Sequence, residues 1–106
     1  MATSVSTRTV DGTLTMVIDG GIDLDTGARV EAEISTAVTT PGVRAVIVDL
    51  SRVDFLDSAG IATLVHGRRR ADQLGIGFRV VGASGMVRRV LDLTGVWEFL
   101  AEGGAR

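Results

Sequence analysis

Residues 43–60 read Val-Arg-Ala-Val-Ile-Val-Asp-Leu-Ser-Arg-Val-Asp-Phe-Leu-Asp-Ser-Ala-Gly, and the architecture of the chain can be worked out from them. The first eight residues are almost continuously apolar, which is typical of a central strand buried on both faces. We expect residues 51–57 to form a connecting loop and Ser58 to begin a helix that runs to Gly75. The side chains expected to face the sheet from this helix are Ile61, Leu64, Val65, Ala71 and Leu74.

The segments before this stretch predict a hairpin and a first helix. Thr7–Val10 and Leu14–Asp19 are rich in β-prone residues and are joined by Asp-Gly, a preferred two-residue hairpin connection. From Asp25 or Thr26 as cap, the apolar residues that recur at helical spacing are Val30, Ile34, Ala37 and Val38. We therefore expect two antiparallel strands and then an amphipathic helix that ends at Pro41-Gly42.

The segments after residue 60 predict a further strand and a further helix. Phe78–Val81 is β-prone, and Ser84 is a suitable cap for a helix that ends at Gly95. Trp97–Leu100 is expected to form a last short strand or an apolar anchor. Strands that alternate with helices pair in parallel. The sequence thus predicts an α/β fold with a mixed, mostly parallel sheet of four to five strands packed against α-helices.

Length and composition indicate one domain and argue against metal or redox chemistry. With 106 residues, 45% of them hydrophobic, the whole of 1–106 is expected to form a single domain. Its core is expected to span about residues 7–100, with a flexible tail at 101–106. Because the chain has no cysteine and one histidine, we expect neither a disulfide nor a metal or other cofactor.

Charge and hydropathy restrict the partners. The 11 basic residues are all arginines spread along the chain, and the net charge is -2, so nucleic acid is not an expected partner. Residues 1–10 lack the apolar core of a signal peptide, and no apolar run approaches the ~20 residues of a membrane span. We expect a cytoplasmic protein that does not bind a membrane.

Ser58 stands where a strand-like stretch passes into a helix, at or near the helix N-terminus. The free N–H groups and the positive end of the helix dipole at such a position suit a phosphate. Asp54 and Asp57 would repel that phosphate, so it would change the surface more than the fold. By position alone, however, Ser58 is first of all a helix cap worth about 1 kcal/mol of stability.

Other polar residues near this helix suggest chemistry that their spacing does not support. His66 and Asp57 invite comparison with a Ser-His-Asp hydrolase, but eight residues of helix separate His66 from Ser58 by about 12 Å. Asp23, Asp54 and Asp57 could be taken for a metal site, although a polar loop is the simpler interpretation. The residues expected on the exposed face of the helix include Ala59, Ala62, His66 and Arg69.

The stretch Val53-Asp-Phe-Leu-Asp-Ser-Ala-Gly-Ile61, preceded by Asp49-Leu-Ser51, resembles the signature of STAS domains, specifically of bacterial anti-sigma-factor antagonists. Two further segments support the resemblance. Gly20-Gly-Ile-Asp-Leu24 is similar to the family's Gly-Glu-Leu-Asp-Leu segment, and Leu91-Asp-Leu-Thr-Gly95 is similar to its Leu-x-x-Ser/Thr-Gly ending. The resemblance extends from about Val10 to Leu100, which is nearly the whole chain.

This resemblance implies a partner-switching cycle in stress or sporulation transcription. An anti-sigma factor that is also a serine kinase would bind the unphosphorylated chain and release its sigma factor. Phosphorylation of Ser58 would end that complex, and a serine phosphatase would reverse it. In such a cycle the chain is not an enzyme, and Asp23 lies near the phosphoacceptor. The expected partner-binding residues are Asp23, Asp54, Asp57, Ser58, Ala59, Gly60, Ala62, His66 and Arg69.

The resemblance also allows a second interpretation, and the sequence departs from the family pattern at one position. The chain could be a STAS scaffold within a stress-signalling complex or the cytoplasmic part of a transporter. The lack of a sensor segment or membrane span in the sequence favours the antagonist. Gly21 stands where the family usually has Glu, so a role for that carboxylate in partner binding is in question.

Overall fold

The computed structural model describes residues 3–101, which form four strands and four helices. The elements are β1 (Ser4–Val10), β2 (Thr13–Ile22), α1 (Leu24–Val38), β3 (Ala45–Leu56), α2 (Ser58–Leu74), β4 (Gly77–Val81), α3 (Gly85–Leu93) and α4 (Trp97–Ala101). This order confirms the predicted α/β fold. Of the expected tail at 101–106, Ala101 is the last residue of α4, and residues 102–106 lie outside the described part.

The four strands form one sheet in the order β1-β2-β3-β4. Strand β1 pairs antiparallel with β2 across a tight turn, in which Asp11 has a φ of 50° and Gly12 a φ of 81°. These positive angles are the ones that Asp-Gly adopts in two-residue hairpins. Strands β2 and β3, and β3 and β4, pair in parallel. The prediction of a mixed, mostly parallel sheet is confirmed.

The helices cover one face of the sheet. The buried apolar side chains of β2, β3 and β4 alternate along the strands and include Leu14, Met16, Ile18, Val46, Val48, Leu50, Phe78 and Val80. The residues between them, such as Thr15, Val17 and Ile47, are only half-buried. The shortest dimension of 19 Å has room for one sheet and one helix layer. The other side of the sheet, which we call the open face, is therefore accessible to solvent.

Residues 51–56 continue β3, so the prediction of a loop at 51–57 is wrong for all but its last residue. The parallel pairing with β2 extends from Asp19↔Arg52 to Ile22↔Leu56, with one register shift just before Asp19 and another between Gly20 and Gly21. Within this extension, Val53 and Leu56 are buried. The sequence of residues 51–56 predicts a loop because the register shifts break the strict alternation of buried and exposed residues that identifies a strand.

The prediction for the segment Trp97–Leu100 is corrected in part. Trp97–Ala101 is the helix α4 rather than a strand, and its buried Leu100 makes it an apolar anchor. Two arginine guanidinium groups stack on its rings, Arg88 at 4.1 Å from the Trp97 centroid and Arg68 at 4.4 Å from the Phe99 centroid. Such stacking holds a short helix that has little intrinsic stability.

Leu74 does not face the sheet. The apolar periodicity of α2 continues to Leu74, which predicts a buried side chain. In the structure Leu74 is the last residue of the helix, before the left-handed C-cap Gly75, and it is 49% exposed. The N-terminal boundaries differ as well. Strand β1 begins at Ser4 rather than at Thr7. Among the helices of residues 3–101, none combines the length and hydrophobicity that a bilayer crossing requires.

Candidate functional site

The parallel strands β2 and β3 end side by side, and each passes directly into a helix. Ile22 pairs with Leu56 on neighbouring strands, which are about 5 Å apart, and Asp23 and Asp57 are the residues that follow them. The backbone N–H of Asp57 donates to the Ile22 carbonyl at 3.4 Å. Asp23 is the N-cap of α1 and Asp57 is the N-cap of α2. Two helix N-termini therefore meet at the carboxyl ends of two strands, where sites commonly form in α/β folds.

Asp23 closes the first turn of α1 with reciprocal hydrogen bonds. Its Oδ1 accepts from the N–H groups of Asp25 and Thr26, each at 3.0 Å, and its own N–H donates to Thr26 Oγ1 at 3.0 Å. The Thr26 N–H and then the Thr26 hydroxyl are the main groups that lower the pKa of Asp23, since they stabilise the carboxylate. The predicted cap at Asp25 or Thr26 is wrong, because this capping box places the helix start two residues earlier.

Ser58 is the first residue of α2 and is not its cap. Asp57 Oδ1 accepts from the Gly60 N–H at 3.0 Å, and the Asp57 carbonyl accepts from the Ile61 N–H at 3.0 Å. Ser58 is exposed, and its hydroxyl makes no hydrogen bond within residues 3–101. The capping explanation of Ser58 is therefore wrong. Its hydroxyl points to solvent beside a helix N-terminus without a structural role of its own.

Glycine allows the start of α2 to lie this close to the sheet. A Cβ on Gly60 would lie 2.4 Å from the Ile22 carbonyl oxygen and 2.5 Å from Leu56 Cδ1. Gly60, one of the predicted partner-binding residues, is also buried. Its role is to seat α2. The neighbouring Ala59 is half-buried, and its carbonyl accepts from the buried Thr63 hydroxyl at 3.0 Å.

Two large apolar side chains are exposed next to Ser58. Leu24 follows the Asp23 cap as Ser58 follows the Asp57 cap, and it is 81% exposed. Phe55 precedes the end of β3 and is 52% exposed. Neither residue was predicted from the sequence to belong to the site. The repeated pattern of an aspartate cap after a strand, in Ile22-Asp23-Leu24 and Leu56-Asp57-Ser58, is the signal that could have identified Leu24.

Gly21 lies beneath the ring of Phe55. A Cβ placed on Gly21 would contact Phe55 Cβ at 3.4 Å and Cδ2 at 3.6 Å. A shallow cleft beside the ring is lined by Thr3, Gly21, Asp23, Thr26, Asp54 and Phe55. Asp54 is exposed at this cleft. Asp23 and Asp54 therefore line the same cleft as Gly21, the position at which the resemblance led us to expect a glutamate.

The remaining predicted residues extend along α2. Ala62, His66 and Arg69 are exposed on one side of the helix, as expected. His66 Nδ1 lies 3.0 Å from Glu31 Oε1 of α1 and not near Ser58, so no serine–histidine dyad is assembled. In the described part of the chain, no three acidic or histidine residues are placed to hold a metal ion. Seven exposed residues and the half-buried caps Asp23 and Asp57 form a set that is called the docking surface below: Asp23, Leu24, Asp54, Phe55, Asp57, Ser58, Ala62, His66 and Arg69.

Comparisons with known proteins agree with this geometry. The STAS domain family model matches residues 4–102. The chain is 34% identical over 86 residues to the anti-sigma-F factor antagonist RsfB of Mycobacterium tuberculosis, a match that covers 81% of this chain and 69% of the relative. A crystal structure of an anti-sigma factor antagonist from Mycobacterium paratuberculosis is similar with a TM-score of 0.80 and 27% identity, covering 93% and 83% of the two chains.

A third comparison concerns the fold. The Bacillus cell fate determinant SpoIIAA in its phosphorylated form has a TM-score of 0.66 and 22% identity, covering 89% of this chain and 87% of SpoIIAA. The chain belongs to the STAS domain family. Since both mycobacterial relatives are anti-sigma factor antagonists, the resemblance to that class found in the sequence is confirmed.

Proposed function

We propose that the chain is an anti-sigma factor antagonist whose binding is switched off by phosphorylation of Ser58. The unphosphorylated chain binds an anti-sigma factor that is also a serine kinase, and the sigma factor is released. The kinase then phosphorylates Ser58 and the complex ends, until a serine phosphatase removes the phosphate. The chain acts in the cytoplasm by binding alone, without catalysis of its own.

The observation that carries this proposal is the exposed hydroxyl of Ser58 at the first position of α2, with Asp57 rather than Ser58 as the cap. Because no internal hydrogen bond has to be broken, a kinase can reach this hydroxyl without unfolding the helix. In the first turn, the Gly60 N–H already donates to Asp57 Oδ1, whereas the N–H groups of Ser58 and Ala59 have no intrahelical acceptor and can receive a phosphate.

The surroundings of Ser58 explain how one phosphate can end a complex. Phosphorylation adds about −1.5 to −2 charges next to Asp57, Asp23 and Asp54. Burying that charge against a partner without matched cations costs several kcal/mol. A loss of this size weakens a complex by orders of magnitude, since each 1.4 kcal/mol is about tenfold. No change in the fold is needed.

The docking surface has the composition of a binding interface. Leu24 and Phe55 present exposed apolar side chains, and Asp23 and Asp54 line the same cleft as Phe55. Apolar anchors in a polar rim are typical of interfaces in which a few residues provide most of the affinity. The complementary partner surface has apolar pockets and basic side chains.

Phosphorylation by the cognate anti-sigma factor tests the proposal. The chain is incubated with that kinase and ATP, and the product is analysed by intact mass and peptide mapping. We expect one phosphate on Ser58 and none on Ser58→Ala. Ser84→Ala is the matched control, because Ser84 is also an exposed serine at a helix start without a side-chain cap bond. Phosphate on Ser58→Ala would contradict the assignment.

Binding tests the switch separately. Isothermal titration of the anti-sigma factor into Ser58→Glu is expected to show affinity reduced at least tenfold, whereas Ser84→Glu binds like the unchanged chain. Equal affinity for Ser58→Glu and the unchanged chain would argue against the switch. A chain that binds no anti-sigma factor, but co-purifies with a transporter or signalling complex, would favour the scaffold interpretation.

A further inference from the structure

Strand β1 forms one edge of the sheet. Its pairing with β2 runs without a register shift from Ser4↔Asp19 to Val10↔Thr13. Within residues 3–101, no strand lies on its other side. In an antiparallel strand, alternate residues direct their N–H and C=O groups to each side, so β1 presents a row of unpaired backbone groups to solvent.

The helices do not shield this edge. Thr7 and Thr9 pair with Met16 and Leu14 and thus point to the helix-covered side of the sheet, yet both are exposed. Six of the seven residues of β1 are exposed, and the other is half-buried. A second strand can therefore approach β1 without displacing any part of the described chain.

The strand also lacks the features that usually prevent edge pairing. It contains no proline, no lysine and no bulge, and its one charged residue is Arg8. These are the devices with which proteins protect exposed edges. The opposite edge, β4, is only five residues long and has α4 packed beside it. Strand β1 is thus the longer and less protected of the two sheet edges, as expected if β1 and not β4 pairs with another strand.

We propose that β1 pairs with β1 of a second copy of this chain, antiparallel and with Thr7 on the two-fold axis. Full overlap of the seven residues requires this register. Its cross-strand pairs are Thr7 with Thr7, Ser6 with Arg8, Val5 with Thr9 and Ser4 with Val10. No like charges meet directly, and Val with Thr is a favourable β-branched pair. The strand sequence is thus complementary to itself, as an isologous dimer requires.

The geometry of this pairing leaves the docking surface free. An antiparallel β1–β1 contact joins the two sheets into one, with all helices on the same side. The strands of the second copy run in the opposite direction, so the two Ser58 residues lie at opposite ends of the joined sheet. Because one strand from each copy forms the contact, the interface is small and the association is weak and concentration-dependent.

Sedimentation equilibrium from low micromolar to millimolar protein tests the proposal. We expect a reversible change from one chain mass toward two. Thr7→Lys and Thr7→Glu each place like charges opposite one another at the axis and should weaken self-association by about fivefold or more. A residue on the two-fold axis faces the same residue of the other copy, so a pair made of one chain of each variant places opposite charges against each other. An equimolar mixture of the two variants should therefore associate more tightly than either variant alone.

Controls separate pairing from folding and from the switch. Circular dichroism should show that both Thr7 variants keep the fold, and Thr36→Lys, at an exposed threonine of α1, should leave self-association unchanged. Ser58→Glu should also leave it unchanged. A chain that stays monomeric at all concentrations would overturn the proposal and leave the edge for a strand of another protein. A mixture that associates no better than its components would overturn the register.

Discussion

Leu24 and Ser58 occupy equivalent positions in two helices that begin side by side. Each is the first helical residue after an aspartate cap, Asp23 for α1 and Asp57 for α2. Because the caps are neighbours at the ends of paired strands, a partner that covers Ser58 also meets the exposed side chain of Leu24. In the proposed function, the Leu24 side chain and the Ser58 hydroxyl therefore belong to one contact.

Replacing Leu24 tests this relationship. Leu24→Ala should weaken binding to the anti-sigma factor about tenfold, because it removes an apolar anchor beside the phosphoacceptor. Its free energy of unfolding should change by less than about 0.5 kcal/mol, since the side chain is 81% exposed. The measurement is calorimetric titration, with Leu93→Ala, which is 75% exposed on α3, as the control. Equal effects of the two changes would place Leu24 outside the contact.

Gly60→Ala tests how α2 is seated. The added Cβ would lie 2.4 Å from the Ile22 carbonyl oxygen, so the helix start must move, at a cost of about 1–3 kcal/mol in unfolding free energy. Gly21→Ala is the matched control, because its Cβ would make an ordinary 3.4 Å contact with Phe55. Urea unfolding measures both. A Gly60→Ala chain as stable as Gly21→Ala would show that the close contact is easily relieved.

Lowering the pH should remove the contribution of the Asp23 carboxylate to the free energy of unfolding. Hydrogen bonds from Thr26 lower the pKa of Asp23 in the folded chain below its ordinary value of 3.8. The carboxylate therefore stabilises the fold above pH 3.8, and this stability is lost as the pH falls through the lowered folded pKa. Asp23→Asn keeps a good cap but removes the charge. The unfolding free energies of the two chains should converge as the pH is lowered, and a constant difference would contradict the prediction.

Helix α4 should be essential to the core in spite of its length. Leu100 is fully buried, so Leu100→Ala should cost about 2–5 kcal/mol of unfolding free energy. The change Leu93→Ala removes the same atoms from an exposed position and should cost less than about 0.5 kcal/mol. Thermal or denaturant unfolding of the two variants decides the point. A small loss for Leu100→Ala would mean that the core closes without α4.

The fold was largely predictable because its signals are local. The Asp-Gly turn, the apolar run at 43–50 and the helical periodicities each depend on neighbouring residues. The extension of β3 through residues 51–56 was not predictable in this way. It depends on pairing with β2 across register shifts, which a single sequence does not display. The sequence likewise leaves open whether Trp97–Leu100 is a short strand or an apolar anchor, since the arginines that stack on the rings of α4 belong to other helices.

The candidate site was predictable in its residues but less so in their roles. Ser58 and Asp57 were identified from their place at the start of a predicted helix, and Asp23 was identified from the family resemblance. Which of Asp57 and Ser58 caps α2 depends on one hydrogen bond to Gly60. Leu24 and Phe55 look like ordinary apolar residues in the sequence, and only the folded chain shows that they are exposed.

The order β1-β2-β3-β4 in the sheet is also the order of the strands along the chain. Each strand therefore pairs with the one made just before it, and no strand has to be inserted between two that are already joined. Contacts that are close in sequence lower the entropy lost in closing the chain and favour fast folding. During synthesis the sheet can grow by one strand at a time as the chain leaves the ribosome, with α4 closing the core last.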